Sequence, residues 1–199
     1  MKPLRIASVV EGFGDSRTRA ELLRRLAAEI APDVWTDFPQ GRRKGCGQLI
    51  VPGGIESVVD EIVRKTRDVA GVLVLIDADD ACPAALGPEL LDRARRARPD
   101  VPLAVVLANR EFEAWFLASA VSLRGHQGLP ADLQLPPDPE RPRDCKGWLT
   151  KHRVDGTPYN PVRHQTGLTA RFDLAMARKN SPSFDKFWRD VEYLITGKR

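Results

Sequence analysis

Short apolar segments alternate with amphipathic segments of helical length through the first 121 residues, and this alternation restricts the fold more than any other feature. Four apolar segments are typical of β-strands, at residues 5–10, 34–38, 72–76 and 101–108. The last two are continuously apolar, as expected for strands covered on both faces of a sheet. A helical segment follows each one, so the pattern predicts an α/β fold with a mainly parallel, four-stranded sheet and helices on both faces.

The helical segments cover residues 16–30, 55–69, 86–98 and 109–120, and a loop is expected at 39–48. Ser16 is the expected N-cap of the first helix, and Asp15 beside it would suit the positive end of the helix dipole.

The pattern changes near Val121. Residues 122–143 are rich in Gly, Pro and charged residues, which predicts a linker or an ordered loop. Three short helical stretches follow, at about 146–152, 165–178 and 183–195. We therefore divide the chain into an α/β domain at residues 1–121 and a loop-rich, basic helical extension packed on it at residues 122–199.

The two parts differ in charge. Residues 1–121 hold 17 Lys and Arg against 18 Asp and Glu, whereas residues 122–199 hold 14 against 9. A basic extension of net charge +5 suggests an anionic partner such as nucleic acid, although on charge alone we favour a merely soluble surface.

Composition places the protein among soluble, globular chains, with 42% hydrophobic and 29% charged residues. No apolar run approaches the roughly 20 residues that span a bilayer. The N-terminal segment lacks the apolar core of a signal peptide, so we expect a mature N-terminus. Three widely spaced cysteines, Cys46, Cys82 and Cys145, predict free thiols in a reducing cytoplasm.

Acidic residues follow two of the predicted strands. Glu11 follows the first strand, and Asp77 and Asp79 follow the third. Carboxyl ends of parallel strands meet at one edge of a sheet, so we expect these side chains to converge. In extended backbone Asp77 and Asp79 would share one face, with Asp80 on the other, acting through a water. Closely held carboxylates repel unless a cation lies between them, which predicts a Mg²⁺ or Mn²⁺ site.

Glu111 and Glu113 follow the fourth strand and leave two alternatives open. In a helix they would lie about 200° apart, so only one could face the metal. If the helix has not yet begun at these residues, both could do so.

Other catalytic motifs fit less well. No segment supplies a Walker A loop or a G-x-S-x-G elbow. The segment GFGDSR has Arg17 where a dinucleotide-binding fingerprint needs its third glycine. His126, His152 and His164 lack the spacing of metal ligands.

The motifs VVEGFGD and LVLIDADD resemble those of the Toprim domain of topoisomerases, primases and OLD-type nucleases. Glu11, Asp77 and Asp79 match its acidic pattern, and the resemblance covers about residues 4–118. The whole chain, including NREFEAWFLA, is most similar to small Toprim-like proteins of bacteria, which accompany ATPase genes.

The resemblance implies roles for particular residues. Asp77 and Asp79 would hold the metal, and Glu11 would be a ligand or a general acid/base in phosphodiester chemistry. By the same resemblance a downstream lysine contacts the scissile phosphate, and Lys146 is the candidate, with Lys151 nearby.

Two functions from different classes remain. The first is a metal-dependent nuclease, acting on DNA in preference to RNA, beside a separate ATPase partner and away from membranes. Its phosphate-binding residues would be Arg42, Arg43 and Lys44 and, in the tail, Arg141, Arg143, Lys146, Lys151, Arg153 and Arg163. Trp148 and Tyr159 would stack on bases or, as we favour, pack the tail on the sheet. The second function is a non-catalytic, Toprim-like binding or interaction subunit.

Overall fold

The structure is a computed structural model that describes residues 2–11 and 16–198. The glycines and Asp15 of the GFGD segment, and the capping side chain expected of Ser16, lie outside the described residues.

One parallel sheet forms the centre of the protein. Within the described residues it has five strands: β1 (Leu4–Val10), β2 (Thr36–Asp37), β3 (Arg42–Arg43), β4 (Val69–Asp77) and β5 (Leu103–Ala108). The order is β2-β1-β4-β5, and β3 pairs with β1 beyond the end of β2. The α/β class and the parallel sheet predicted from the sequence are confirmed.

The fifth strand is a difference from the prediction. β3 lies in the segment that we expected to be a loop, and its two arginines pair with Val9 and Val10. Charged residues are common on edge strands, where only one side of the backbone is paired. Such a strand carries no apolar alternation, which explains why the sequence pattern missed it.

Helices cover both faces of the sheet. α1 (Ser16–Ile30) and α9 (Pro182–Thr196) pack on the face that carries Ile6 and Val10. α2 (Cys46–Ile50), α3 (Gly54–Lys65) and α4 (Pro83–Ala97) pack on the face that carries Ala7 and Val9. The remaining helical segments are α5 (Ala114–Ala118), a 3-10 turn (Ala120–Leu123), α6 (Cys145–His152), a π-helical turn (Pro161–Gln165), α7 (Thr166–Thr169) and α8 (Leu174–Asn180).

Two predicted helices differ from the structure. The helix expected at 109–120 begins only at Ala114. Arg110 has a left-handed backbone with φ of 64°, and residues 111–113 form turns in which Ala114 N and Trp115 N donate to the oxygens three positions earlier. The stretch expected at 165–178 is divided into α7 and α8. Asp173 causes this division, since its side chain accepts a hydrogen bond from Met176 N and starts a new helix.

The C-terminal extension shares a core with the sheet. Leu129, Leu149 and Phe172 are buried in the same cluster as Ile6 and Leu73. Residues 122–143 form an ordered loop, which Glu140 fastens. Its carboxylate accepts hydrogen bonds from Ser183 N at 3.0 Å and from Asn109 Nδ2 at 3.0 Å.

The three cysteines are free thiols. Among residues 2–11 and 16–198, no helix is both long and apolar enough to cross a membrane.

Candidate active site

Three strands bring acidic residues to one edge of the sheet. Glu11 immediately follows β1, Asp77 is the last residue of β4, and Glu111 and Glu113 lie in the loop after β5. The pairing of Val10 with Leu75 and of Asp77 with Ala108 places the three strand ends at similar levels. Glu11 N also donates a hydrogen bond to Leu75 O at 3.2 Å, so the β1–β4 pairing continues into the site.

The Glu11 carboxylate is half satisfied. Its Oε1 accepts a hydrogen bond of 2.7 Å from Cys46 N, at the start of α2. Its Oε2 is buried and has no hydrogen-bond partner among the described residues. Burial raises the pKa of Glu11, and the negative charge of Asp79 raises it further, against the opposing effects of the backbone N–H groups of Cys46 and, more weakly, Asp77. This oxygen is therefore available to a ligand.

The pKa of the Asp77 carboxyl group differs strongly from its ordinary value. Its Oδ1 accepts a hydrogen bond from Phe112 N at 2.9 Å. Burial raises the pKa of Asp77 to about 8, and the charges of Glu113 and Glu11 add to this effect while Lys146 opposes it. The carboxyl group therefore holds a proton at neutral pH unless a further positive charge approaches.

Asp79 reaches the site by a different route from the one we predicted. β4 ends at Asp77, and Asp79 has a left-handed backbone with φ of 48°, so the alternation of an extended strand does not apply to it. Its backbone N donates to Arg110 O at 3.0 Å, which ties the loops after β4 and β5 together. Asp79 is exposed, but its charge acts on Glu11.

Asp80 pairs with two arginine side chains. Its Oδ1 lies 3.1 Å from Arg110 Nη1 and 2.6 Å from Arg143 Nη2. Asp80 thus joins the tail to the loops of the site.

The open question about Glu111 and Glu113 has a clear answer. Because α5 begins only at Ala114, both residues precede the helix, and both contact Lys146. Lys146 Nζ lies 2.7 Å from Glu111 Oε1 and 3.3 Å from Glu113 Oε2. Glu111 Oε2 also accepts a hydrogen bond of 3.0 Å from Lys146 N, at the start of α6.

Glu113 is held by residues that the sequence did not indicate. Its side chain is 1% exposed, and its Oε1 accepts hydrogen bonds from Tyr159 at 2.9 Å and Gln165 at 3.1 Å. Tyr159 therefore packs inside the protein, which is the alternative that we favoured over base stacking. Nothing in the sequence around Gln165 signals its role, because the contact depends on an irregular π-helical turn.

Acidic groups outnumber the single ammonium group of Lys146 in this region. Among the described residues, Glu111, Glu113 and Asp77 act on the ammonium group of Lys146, whereas Glu11 interacts with Asp77 and Asp79. Burial alone would lower the pKa of Lys146, but Glu113 and Glu111 outweigh it and raise the pKa. Among the described segments, no three His, Cys, Asp or Glu side chains lie so that they could hold a metal ion together.

The predicted phosphate-binding residues have different surroundings. Arg42 and Arg43 pair with β1 just before Glu11, and Lys44 N donates to Val10 O at 3.0 Å. The Arg42–Lys44 segment therefore adjoins the acidic site, although Arg42 also pairs with Glu61 at 3.0 Å.

The predicted residues of the tail differ from one another. Lys151 is exposed on α6. The side chain of Arg153 is only 4% exposed and donates to Asp155 at 2.5 Å and to Thr157 O at 2.8 Å. Arg153 therefore holds its own loop together. Trp148 stacks on His152, with ring centroids 3.8 Å apart.

Comparison with known proteins identifies one family. A family model described as a domain of unknown function, DUF4276, matches residues 10–192. No curated protein matches the chain, and no solved structure matches it. The matched segment spans most of the chain and contains all the candidate site residues from Glu11 to Arg153, and the protein accordingly belongs to the DUF4276 family.

Proposed function

We propose that this protein is a metal-dependent nuclease that cleaves phosphodiester bonds. The observation that carries the proposal is that Glu11, Asp77 and Asp79 follow neighbouring strands at one sheet edge, where the charge of Glu11 interacts with both aspartates. Glu11 Oε2 is buried and has no hydrogen-bond partner among the described residues. A bound ion would have to draw the three carboxylates closer together than they lie in this structure. Like charges held this closely destabilise a fold unless a ligand offsets them. A site that binds a cation gives these carboxylates a physical reason to converge.

The donor atoms suit Mg²⁺ or Mn²⁺, which prefer carboxylate oxygens. Glu11, Asp77 and Asp79 would hold the ion, and Glu11 Oε2 is the oxygen that lacks another partner. Glu111 and Glu113 already bind Lys146, so we assign them to that lysine. When bound, the metal would stabilise charge on the phosphate and lower the pKa of an attacking water.

Lys146 is suited to binding the substrate phosphate. Its side chain is 38% exposed, so the ammonium group can reach a ligand in solvent while Glu111 and Glu113 fix its position. Its raised pKa keeps it charged at neutral pH. Tyr159 and Gln165 are positioning residues, because their hydrogen bonds hold the Glu113 carboxylate in place.

The nucleic acid would approach along the basic surface of residues 42–44. Arg42, Arg43 and Lys44 adjoin Glu11, and Lys151 lies on the helix that carries Lys146. We favour DNA over RNA, a cytoplasmic location and a separate ATPase partner. These parts of the proposal come from the sequence and from the resemblance to Toprim domains and their small bacterial relatives.

A non-catalytic binding subunit is the second candidate. It is favoured by the position of Lys146, which neutralises two of the carboxylates without any metal. In this alternative, nucleic acid would bind and remain intact.

A cleavage assay separates the two candidates. Labelled single- and double-stranded DNA and RNA would be incubated with Mg²⁺, Mn²⁺ or EDTA. We expect cleavage by the wild type only with metal, none by Asp77→Asn, and unchanged cleavage by Asp80→Asn, a neighbouring acid outside the cluster. Binding of these substrates without cleavage under any of the metal conditions would instead support the non-catalytic subunit.

A further inference from the structure

Arg19 is a buried arginine without a carboxylate partner among the described residues. It lies near the start of α1 and is 2% exposed. Its Nη1 donates a hydrogen bond to Ser8 Oγ at 2.8 Å, and its buried Nε has no hydrogen-bond partner in the part of the chain that the structure describes. Burial lowers its pKa, and no acidic group opposes this effect. Arginine nevertheless remains charged in proteins, so this is an uncompensated positive charge.

Other arginines of the chain show how unusual this environment is. Arg93 is also well covered, and its guanidinium lies 2.8 Å from Glu56. Arg25, on the same helix as Arg19, donates to the backbone oxygens of Thr169 and Phe172 at 2.5 and 2.9 Å. Each of these has at least two strong acceptors, whereas Arg19 has one neutral hydroxyl.

A cavity of about 600 Å³ lies against Arg19. Its wall includes Arg17, Arg24, Gln40 and Thr166, together with Glu21, which pairs with Arg24 at 2.5 Å. Guanidinium, amide and hydroxyl groups are the donors that recognise phosphate oxygens in proteins. The cavity thus combines an uncompensated charge with several hydrogen-bond donors.

The chain closes tightly over Arg19 at Gly41. A Cβ atom at this position would lie 2.9 Å from Ser8 Oγ and 3.3 Å from Arg19 Nε, so a larger residue would displace the guanidinium. Gln40 and Gly41 directly precede Arg42, and the cavity is therefore continuous along the chain with the basic segment beside Glu11. Ser8 lies three residues before Glu11, or about 10 Å along the strand.

We propose that this cavity is a phosphate-binding site, in which Arg19 supplies the charge and Gln40 and Thr166 supply hydrogen bonds. The phosphate belongs to a nucleic acid, an identification that rests on the proposed nuclease function. It is either an internal phosphodiester away from the one cleaved or the terminal phosphate of a strand. Arg19 thus fixes how the strand enters the acidic site.

The first test uses inorganic phosphate, in EDTA, so that metal and cleavage play no part. Melting temperatures and calorimetric titrations would be compared in phosphate and in chloride of equal ionic strength. The wild type should be stabilised by phosphate, and Arg19→Met should bind it at least tenfold more weakly. Because the substitution removes a buried, unpaired charge, the variant should melt no lower than the wild type in chloride.

Two controls distinguish the site from a structural arginine and from general charge. Arg25→Met removes a charge from the same helix and should lower the melting temperature while keeping the phosphate response. Asp77→Asn should also keep the stabilisation by phosphate, because Asp77 is not part of the cavity. The phosphate result therefore stands even if the nuclease proposal fails. No phosphate-specific stabilisation of the wild type, or an equal response in Arg19→Met, would overturn the proposal.

A second variant covers the case in which Arg19→Met does not fold. Gln40 is exposed, so Gln40→Ala should fold normally and bind phosphate several-fold more weakly; an affinity within twofold of the wild type would then overturn the site. Competition by oligonucleotides separates the two sources. Displacement of phosphate by a strand with a 5′-hydroxyl end indicates an internal phosphodiester, and displacement only by 5′-phosphorylated strands indicates the terminal group.

Discussion

Asp77 shows how burial changes the behaviour of an ordinary carboxyl group. Its position at the end of a covered strand removes it from water, and nearby Glu113 and Glu11 oppose its ionisation. A proton or a metal ion can relieve this arrangement, and the two compete for the same oxygens.

The raised pKa of Asp77 predicts the pH dependence of metal-free stability. Its pKa is about 8 in the folded protein against an ordinary value of 3.8, so the stabilising contribution is complete below pH 3.8 and is lost as the pH rises through 8. We expect the free energy of unfolding in EDTA to fall from pH 5 to pH 8.5. Urea titrations at several pH values would measure it.

Asp77→Asn should remove a large part of this slope, while Glu11 and Glu113, whose pKa values are also raised, account for some of the rest. Asp80→Asn provides the matched control and should keep the wild-type slope. A slope in Asp77→Asn as steep as that of the wild type would show that Asp77 is ionised normally.

Single residues of the site differed in how far the sequence could predict them. The position of Glu11 and Asp77 at one edge was predictable because parallel strands bring their carboxyl ends together. The path to Asp79 was not, because its left-handed backbone departs from the alternation of a strand. Lys146 was proposed only by resemblance, and its contact with Glu111 spans 35 positions of the chain. Gln165 could not be found, since its contact depends on the path of an irregular turn that no local pattern encodes.

At the scale of the elements, the starts of two helices decide the geometry. α5 starts late, which leaves Glu111 and Glu113 in a loop where both can reach Lys146. α6 starts at Cys145, where the side chain of Asp144 accepts a hydrogen bond from Gly147 N at 2.6 Å and caps the helix. Helix existence was predictable from spacing, but these boundaries depend on capping and on the left-handed Arg110.

The cap of α6 can be tested directly. Asp144→Ala removes the acceptor for Gly147 N and should destabilise the protein by about 1 kcal/mol. Asp144→Asn retains a good capping side chain and should cost only a few tenths of that amount. Denaturation by urea would measure both, and equal losses in the two variants would indicate that the charge of Asp144 matters more than its cap.

At the scale of the whole molecule, the extension and the sheet form one structure. Trp115 after β5 stacks on Phe187 of α9, with ring centroids 4.9 Å apart, and Trp115 Nε1 donates to Ser183 Oγ at 2.9 Å. The apolar stripe of the last helix could be predicted, and so could its packing on its own domain. The attachment of the 122–143 loop through Glu140 could not be predicted, because the hydrogen bond joins positions more than 40 residues apart.

The surface charge of the assembled molecule predicts how nucleic acid binds. Replacing Arg42, Arg43 and Lys44 together by Ala should weaken binding and reduce the log–log salt slope by up to about three. Arg95 and Arg96, in the last turn of α4 at the opposite edge of the sheet, provide the control pair. Fluorescence anisotropy at several salt concentrations would measure both. Unchanged affinity and slope in the triple variant would show that Arg42, Arg43 and Lys44 are ordinary solvent-exposed residues with no part in binding.

The central claim is that Glu11, Asp77 and Asp79 converge in order to hold a metal ion, and thermal melts with and without Mn²⁺ test it most directly. The wild type should gain about 2.7 kcal/mol when the free metal is a hundredfold above its Kd. Asp77→Asn and Asp79→Asn should gain little. In EDTA at neutral pH, Asp79→Asn should melt at or above the wild-type temperature, because a like charge has been removed. Asp77→Asn should melt close to the wild-type temperature, because the Asp77 carboxyl group already holds a proton. Asp80→Asn should gain as much as the wild type. Equal melting temperatures of the wild type with and without Mn²⁺ would contradict the claim.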